Sequence, residues 1–465
     1  MRAALLAGVG ALLLAGGLLA ALIGSVPRVE VPEQADLRIA HATVREPGVA
    51  RRTEQTLTIG SGRIVSVAPS VHGEVGSAWD GLFVMPGLVD LHVHLPPPFL
   101  PAELRATLLL FLAHGVTTVR DAGSPFAWSL GTRGRVAAGR VAGPRVFSCG
   151  PLLVGSESWP GAVVLDEVAE VKPAIERLRR QGVDCVKVLE TVSPPVAAAI
   201  RAEAHAAGLR LIGHVPSASD RLLLDEVQHL TGLGAVLRTR HPAALAKAVE
   251  DSLTEHVAHT PTLVVLERFA RASEGRVECN AACRFLPRYF ETVLWDPRRT
   301  PALAIMVRDL GFAPRARFEA AKEVVGALAR GGVTILAGTD SPTFYNAPGE
   351  SLHEEMALLH EAGLSAEEAI AAATNRAEEV LGDPQPGRIE PGARADLVLL
   401  RGDPVEAVER GLPLDIAAVV ASGRLYSREA LATQVEEYER FFRESAYARV
   451  VEAGVRRAFP GVESR

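Results

Sequence analysis

The 465-residue chain has no excess of positive charge: 49 Lys and Arg stand against 55 Asp and Glu, for a net charge of −6. Without a basic footprint it is not built to hold nucleic acid. Neither standard spacing of a glycine-rich phosphate loop stands out. No stretch is low enough in complexity to be disordered. Cysteine is scarce, at four residues. Cys149 and Cys185 lie in apolar, strand-like runs and read as buried thiols. Cys279 and Cys283 bracket Asn-Ala-Ala in a polar stretch; free thiols are the default there, and a small disulfide loop is the alternative in an oxidising compartment.

Charge is also missing from Ala3 to Gly24, which is almost entirely Ala, Leu, Gly, Val and Ile. A helix of about 20 such residues spans a bilayer. Residues 1–27 are therefore expected to be a signal peptide or a transmembrane anchor, with the rest of the chain exported or held at a membrane. No cysteine follows the segment, which excludes a lipid-anchored lipoprotein.

What is present is ordinary globular composition, 48% hydrophobic and 22% charged, on a chain longer than one core usually supports. After a linker at Pro27 to Gln34, residues 35–85 carry strand patterns at Leu37–Val44, Gln55–Ile59 and Arg63–Ala68. From Pro86 strands alternate with helices. The expected strands are Leu88–Leu95, Val116–Asp121, Arg145–Cys149, Val183–Leu189, Leu209–Val215, Glu226–Leu230, Pro261–Leu266 and Val333–Thr339. Helical patterns such as Ala102–His114, Asp166–Gln181 and Arg315–Arg330 lie between them. Eight such units make an α/β fold, a (β/α)8 TIM barrel over residues 86–384. Residues 385–426 return to β character and are expected to join 35–85 in a discontinuous β-sandwich. Residues 427–465 form a charged amphipathic helix packed outside.

In a parallel barrel the active site lies at the C-terminal strand ends. Strand one lies in the apolar run Met85–Leu95 and carries His92 and His94 on one face. Lys187 lies on strand four, His214 ends strand five, His229 ends strand six and Asp340 ends strand eight. Taken singly, each has an ordinary explanation: a core histidine, a helix cap, a snorkelling lysine. Six metal-competent positions on five strand ends do not share one. Asp90 lies deeper on the His92 face and reads as support. Arg120, Asp121, Tyr345 and His353 are weaker candidates for roles around the substrate.

These stretches resemble the amidohydrolase superfamily, in its imidazolonepropionase- and prolidase-like branch. The resemblance rests on Pro-Gly-Leu-Val-Asp-Leu-His-Val-His at 86–94, His-Gly-Val-Thr-Thr-Val-Arg-Asp at 114–121 and Ala-Gly-Thr-Asp at 337–340. Further matches are Glu-Ala-Gly-Leu-Ser at 361–365, Ala-Ala-Thr-Asn at 372–375 and Pro-Gly-Ala-Arg-Ala-Asp-Leu-Val-Leu at 391–399. The resemblance implies His92, His94 and Asp340 on one divalent metal, His214 and His229 on a second, and carboxylated Lys187 bridging both. Zinc is the simplest ion for so many imidazoles. The implied activity is hydrolysis of a C–N bond in a small amide, dipeptide or cyclic amide, with Asp340 as general base and acid. Strand five reads His-Val-Pro where prolidase-like relatives often have His-Ala-His, and strand six lacks a nearby tyrosine for a dipeptide carboxylate. The alternatives are a mononuclear aminohydrolase or deaminase of the same fold, which does not need Lys187, and a catalytically inactive barrel scaffold. The expected partner is a small molecule, with the membrane added if the N-terminal segment stays uncleaved; a homo-oligomer is left open.

Overall fold

The computed structural model describes residues 20–34, 36–155, 161–217, 219–276, 281–296, 298–300, 314–382 and 387–459. Strand β1 (Leu37–Val44) pairs antiparallel with β2 (Arg52–Gly60), which pairs with β3 (Arg63–Pro69). On its other edge β1 runs parallel to β4 (Phe83–Pro86), whose further neighbour is β14 (Leu397–Leu400). Strands β15 (Ile416–Ala421) and β16 (Arg424–Ser427) complete a seven-stranded sheet in the order β16-β15-β14-β4-β1-β2-β3. One sheet thus draws strands from both ends of the chain.

Between them the strands are parallel and fall into two sheets. Strand β5 (Leu88–Val93) pairs with β6 (Val116–Asp121), and β6 with β7 (Arg145–Ser148). The second sheet contains β8 (Leu152–Val154), β9 (Val163–Val164), β10 (Cys185–Val188), β11 (Arg210–Gly213), β12 (Glu226–Gln228) and β13 (Ala258–Thr260), in the order β13-β12-β11-β10-β8-β9. Two parallel bridges, Val93↔Ser341 and His259↔Ile335, set residues 335–341 between β5 and β13. At the other junction Asp184 N donates to Ser148 O at 2.8 Å. Every residue of β5, β6, β10 and β12 is buried, as parallel strands covered on both faces require.

The order of elements follows the sequence pattern, with local departures. Pro261–Leu266, expected as strand seven, is not a strand: β13 ends at Thr260 and a helix runs from Leu263 to Ser273. Glu355 decides this, because its carboxylate accepts from Leu263 N at 3.0 Å and Val264 N at 2.8 Å, the unpaired donors of the helix start. Strand eight, expected at Val333–Thr339, is reduced to the two bridges. The single C-terminal helix is two, Arg428–Glu444 and Ala446–Ala458, broken where Ser445 turns to cap the second.

Two corrections concern chemistry and placement. Cys149 and Cys185 are not free thiols but a disulfide. Cys283 is disulfide-bonded as well, while Cys279 lies outside the described residues. The expected membrane anchor is also corrected: among the described residues no helix is long and apolar enough to cross a membrane. Of the apolar stretch, residues 3–19 lie outside the described residues and 20–24 are helical. The chain that follows is docked rather than a loose linker: Val26 is buried, and Pro27 O accepts from Arg105 at 3.1 Å and from the Tyr438 hydroxyl at 2.7 Å.

Candidate metal centre

Six side chains meet where the parallel strands end. His92 comes from β5, and His94 follows that strand. Lys187 is the third residue of β10, His214 follows β11 and His229 follows β12. Asp340 comes from the segment that bridges to β5. His94 Nε2 lies 3.1 Å and His92 Nε2 3.5 Å from Asp340 Oδ1, and Lys187 Nζ lies 3.0 Å from His92 Nε2. The His229 ring sits 4.6 Å from that of His92 and 5.2 Å from that of His214, centroid to centroid. Metal-competent atoms of His92, His229 and Asp340 all lie within 4.8 Å of one another. This trio cuts across the expected division, which put His229 on the other ion from His92 and Asp340.

Each imidazole is held by its Nδ1. His92 Nδ1 meets Gln228 Oε1, His94 Nδ1 meets Gly123 O at 3.1 Å, His214 Nδ1 meets Glu190 Oε2, and His229 Nδ1 meets Thr262 Oγ1 at 2.6 Å. When one ring nitrogen is fixed in this way, the other is left to offer its lone pair, the usual arrangement of metal-binding histidine. His214 Nε2 is buried and has no hydrogen-bond partner, an orphan that a cation would satisfy. The donor set of imidazoles and a carboxylate therefore fits a divalent ion.

The backbone supports this geometry. Asp340 and His229 both sit at positive φ, 59° and 56°, a region that residues other than glycine seldom occupy and that clusters at functional sites. Asp90 accepts from Thr339 N at 3.0 Å, Thr339 Oγ1 at 2.6 Å and His92 N at 3.2 Å, so it pins the two ligand segments to each other. Gly338 permits that approach, since a Cβ there would fall 2.8 Å from His92 Cβ.

Electrostatics follows burial and charge. Burial pushes Asp90 up to about 7 and pulls His229 down to about 3. Burial, then the Lys187 charge, holds His92 well below the usual histidine range. Burial takes Lys187 down to about 8 against the opposing pull of Asp340. Burial alone would raise Asp340, but the His94 hydrogen bond and the charges of His229, His94 and Lys187 outweigh it and hold the carboxyl low. The His214 hydrogen bond holds Glu190 at about 2.

The other sequence candidates are held by partners outside the six. Arg120 forms a buried ion pair with Glu226, with Nη1 2.8 Å from Oε2, and its Nε donates to Leu91 O at 2.8 Å. Glu226 also accepts from Gln228 at 2.6 Å, so the pair reaches His92 through Gln228. Asp121 accepts from Ser124 and from Gly123 N at 3.3 Å. His353 spends Nε2 on His114 O at 2.8 Å, between helices. Tyr345 packs against Trp295, with ring centroids 5.0 Å apart. Sequence reasoning missed the orienting groups Gln228, Glu190 and Thr262. The one signal for the first two is their nearness to His229 and Lys187 along the chain.

A family model for the amidohydrolase family matches residues 83–426. An uncharacterised protein of Mycobacterium tuberculosis is 28% identical over 397 residues, which cover 79% of this chain and 91% of that one. Among solved structures, a bottromycin amidohydrolase aligns with a TM-score of 0.66 at 25% identity, covering 90% of this chain and 93% of that one. A Xaa-Pro dipeptidase with methionine bound in its active site aligns with a TM-score of 0.65 at 18% identity, covering 84% of this chain and all of the other (100%). The family match spans the strand ends that carry the histidines, Lys187 and Asp340, and the chain belongs to the amidohydrolase family.

Proposed function

We propose that the chain is a metal-dependent hydrolase of a C–N bond in a small amide, dipeptide or cyclic amide. The observation that carries this reading is the meeting of four imidazoles, Asp340 and Lys187, with each imidazole tied at Nδ1. The two parallel sheets and residues 335–341 are read as one (β/α)8 barrel over 86–384, its closure supported by the Val93, His259 and Ser148 links. Segments 35–85 and 385–426 then make the smaller β domain.

His92, His94 and Asp340 would hold one ion and His214 and His229 the other. A lysine ammonium cannot ligate a cation, and at 3.0 Å from His92 Nε2 it would occupy that lone pair. A carbamate on Lys187 would remove that conflict and would offer, as ligands, two oxygens that share one negative charge. When bound, divalent ions, most simply zinc, supply Lewis acidity toward the carbonyl and toward water. Asp340 takes the proton of the attacking water at its carboxylate and delivers it to the leaving nitrogen. Its positive φ and the Asp90–Thr339 contacts hold that carboxylate facing His94.

The test is metal analysis of purified protein with a hydrolysis screen of N-acyl amino acids, dipeptides and cyclic amides. About two ions per chain, with loss of one in Lys187→Ala, supports the reading. About one ion, unchanged by Lys187→Ala, moves it to a mononuclear aminohydrolase. No metal and no turnover overturns it in favour of a scaffold.

A further inference from the structure

The Cys149–Cys185 disulfide joins residues 36 positions apart whose Cα atoms lie 4.3 Å from each other. Both cysteines are buried, clustered with Ala122 and Ile212 in the interior between the strands. Their place in the topology is specific. Strand β7 ends at Ser148 and pairs with β6, whereas β8 begins at Leu152 and pairs with β10. Residues 149–151 are therefore the point at which the chain changes partner, and no ladder joins β7 to β10. Beside the disulfide, the links across the gap are two hydrogen bonds, Asp184 N to Ser148 O and Ser148 N to Asp184 Oδ2, each 2.8 Å.

Strand β10 is held unequally on its two sides. Toward β11 all four of its residues are paired, Cys185 through Val188. Toward β8 the pairing covers only Lys187↔Leu152 and Val188↔Leu153. At Cys185 the missing ladder is replaced by the covalent bond to Cys149. Alternate residues of a strand share a face, so Cys185 and Lys187 project to the same interior side, about 7 Å apart along the chain.

We infer that Cys149 and Cys185 are a positioning pair for Lys187. Their bond fixes the entry of β10 against β7, so that Lys187 arrives within reach of His92 and Asp340. This rests on the reading of Lys187 as the bridging ligand. Neither cysteine is one of the proposed metal ligands. Any disulfide also restrains the unfolded chain, so loss of stability alone would not identify this role.

The experiment loads metal-free protein with zinc and counts ions per folded chain by elemental analysis, with fold monitored by circular dichroism. Wild type is expected to retain two ions. Cys149→Ala/Cys185→Ala is expected to bind the second about 10–100-fold more weakly, the usual loss when a ligand's support is removed, and so to retain about one. Tyr447→Phe, which removes a hydroxyl that donates to Glu103 on another helix, serves as a control that lowers melting temperature yet keeps two. A folded double variant that retains two ions at wild-type affinity overturns the inference. Should the double variant not fold, zinc loading is repeated on folded wild-type protein with the disulfide reduced, as checked by thiol alkylation. Loss of the second ion on reduction supports the inference, and two ions held at unchanged affinity by the reduced, folded protein overturn it. Wild type holding one ion or none is a separate result, which removes the two-metal reading on which the inference stands.

Discussion

The two histidine pairs at the strand ends are built differently. His92 and His94 lie two residues apart on one strand, and neutral groups hold them: the Gln228 amide and the Gly123 carbonyl. His214 and His229 come from neighbouring strands and are held by the Glu190 carboxylate and the Thr262 hydroxyl. A carboxylate on Nδ1 makes an imidazole a stronger donor at Nε2 than an amide oxygen does, so the His214 position has a lever that the first pair lacks. The first pair depends instead on a buried frame, because Gln228 is fixed by Glu226, and Glu226 by Arg120. One pair is set by local spacing and a deep network. The other is set by two separate groups, the exposed Glu190 carboxylate and the buried Thr262 hydroxyl.

Asp340 touches His92 and His94 and shares the cluster with His229, so its loss should erase the difference between the pairs. Asp340→Asn is expected to lower kcat by about 10²–10⁴, the range for losing a general acid–base, as read by steady-state kinetics. Arg120→Met leaves Glu226 buried and unpaired. It should cost about 3–5 kcal/mol of folding stability in denaturant melts and loosen the His92 side first. Glu190→Gln and Gln228→Leu test the comparison directly. Each should weaken metal binding about 10–100-fold in a chelator competition, Glu190→Gln at the His214 side and Gln228→Leu at the His92 side. Equal loss of both ions in either variant would break the distinction. The smallest effect belongs to Tyr447→Phe, which removes the hydroxyl that donates to Glu103 at 2.7 Å. About 1 kcal/mol of stability should be lost, with metal content and kcat unchanged.

Much of the frame was legible because it follows local rules. Val116–Asp121 and Leu37–Val44 are apolar runs bounded by turns, and their limits match the strands formed. The capping box Ser365 to Glu368 marks the start of a helix, Ala366–Ala372, and a second short helix, Asn375–Val380, follows after Thr374. The failures share a cause. Pro261–Leu266 reads as a strand by composition, but Glu355, distant in sequence, supplies the cap that turns it into helix. Cys149 and Cys185 read as thiols because no local pattern reports which strands become neighbours.

The sequence by itself determined the order of strands and helices and the residue types at the strand ends, since hydrophobic period, caps and turns act over a few residues. It therefore named His92, His94, Lys187, His214, His229 and Asp340 as metal-competent. Only the tertiary structure decided what holds each of them. Gln228, Glu190 and Thr262 act across strands, and the disulfide acts across a gap in the sheet, over distances that side-chain periodicity does not encode.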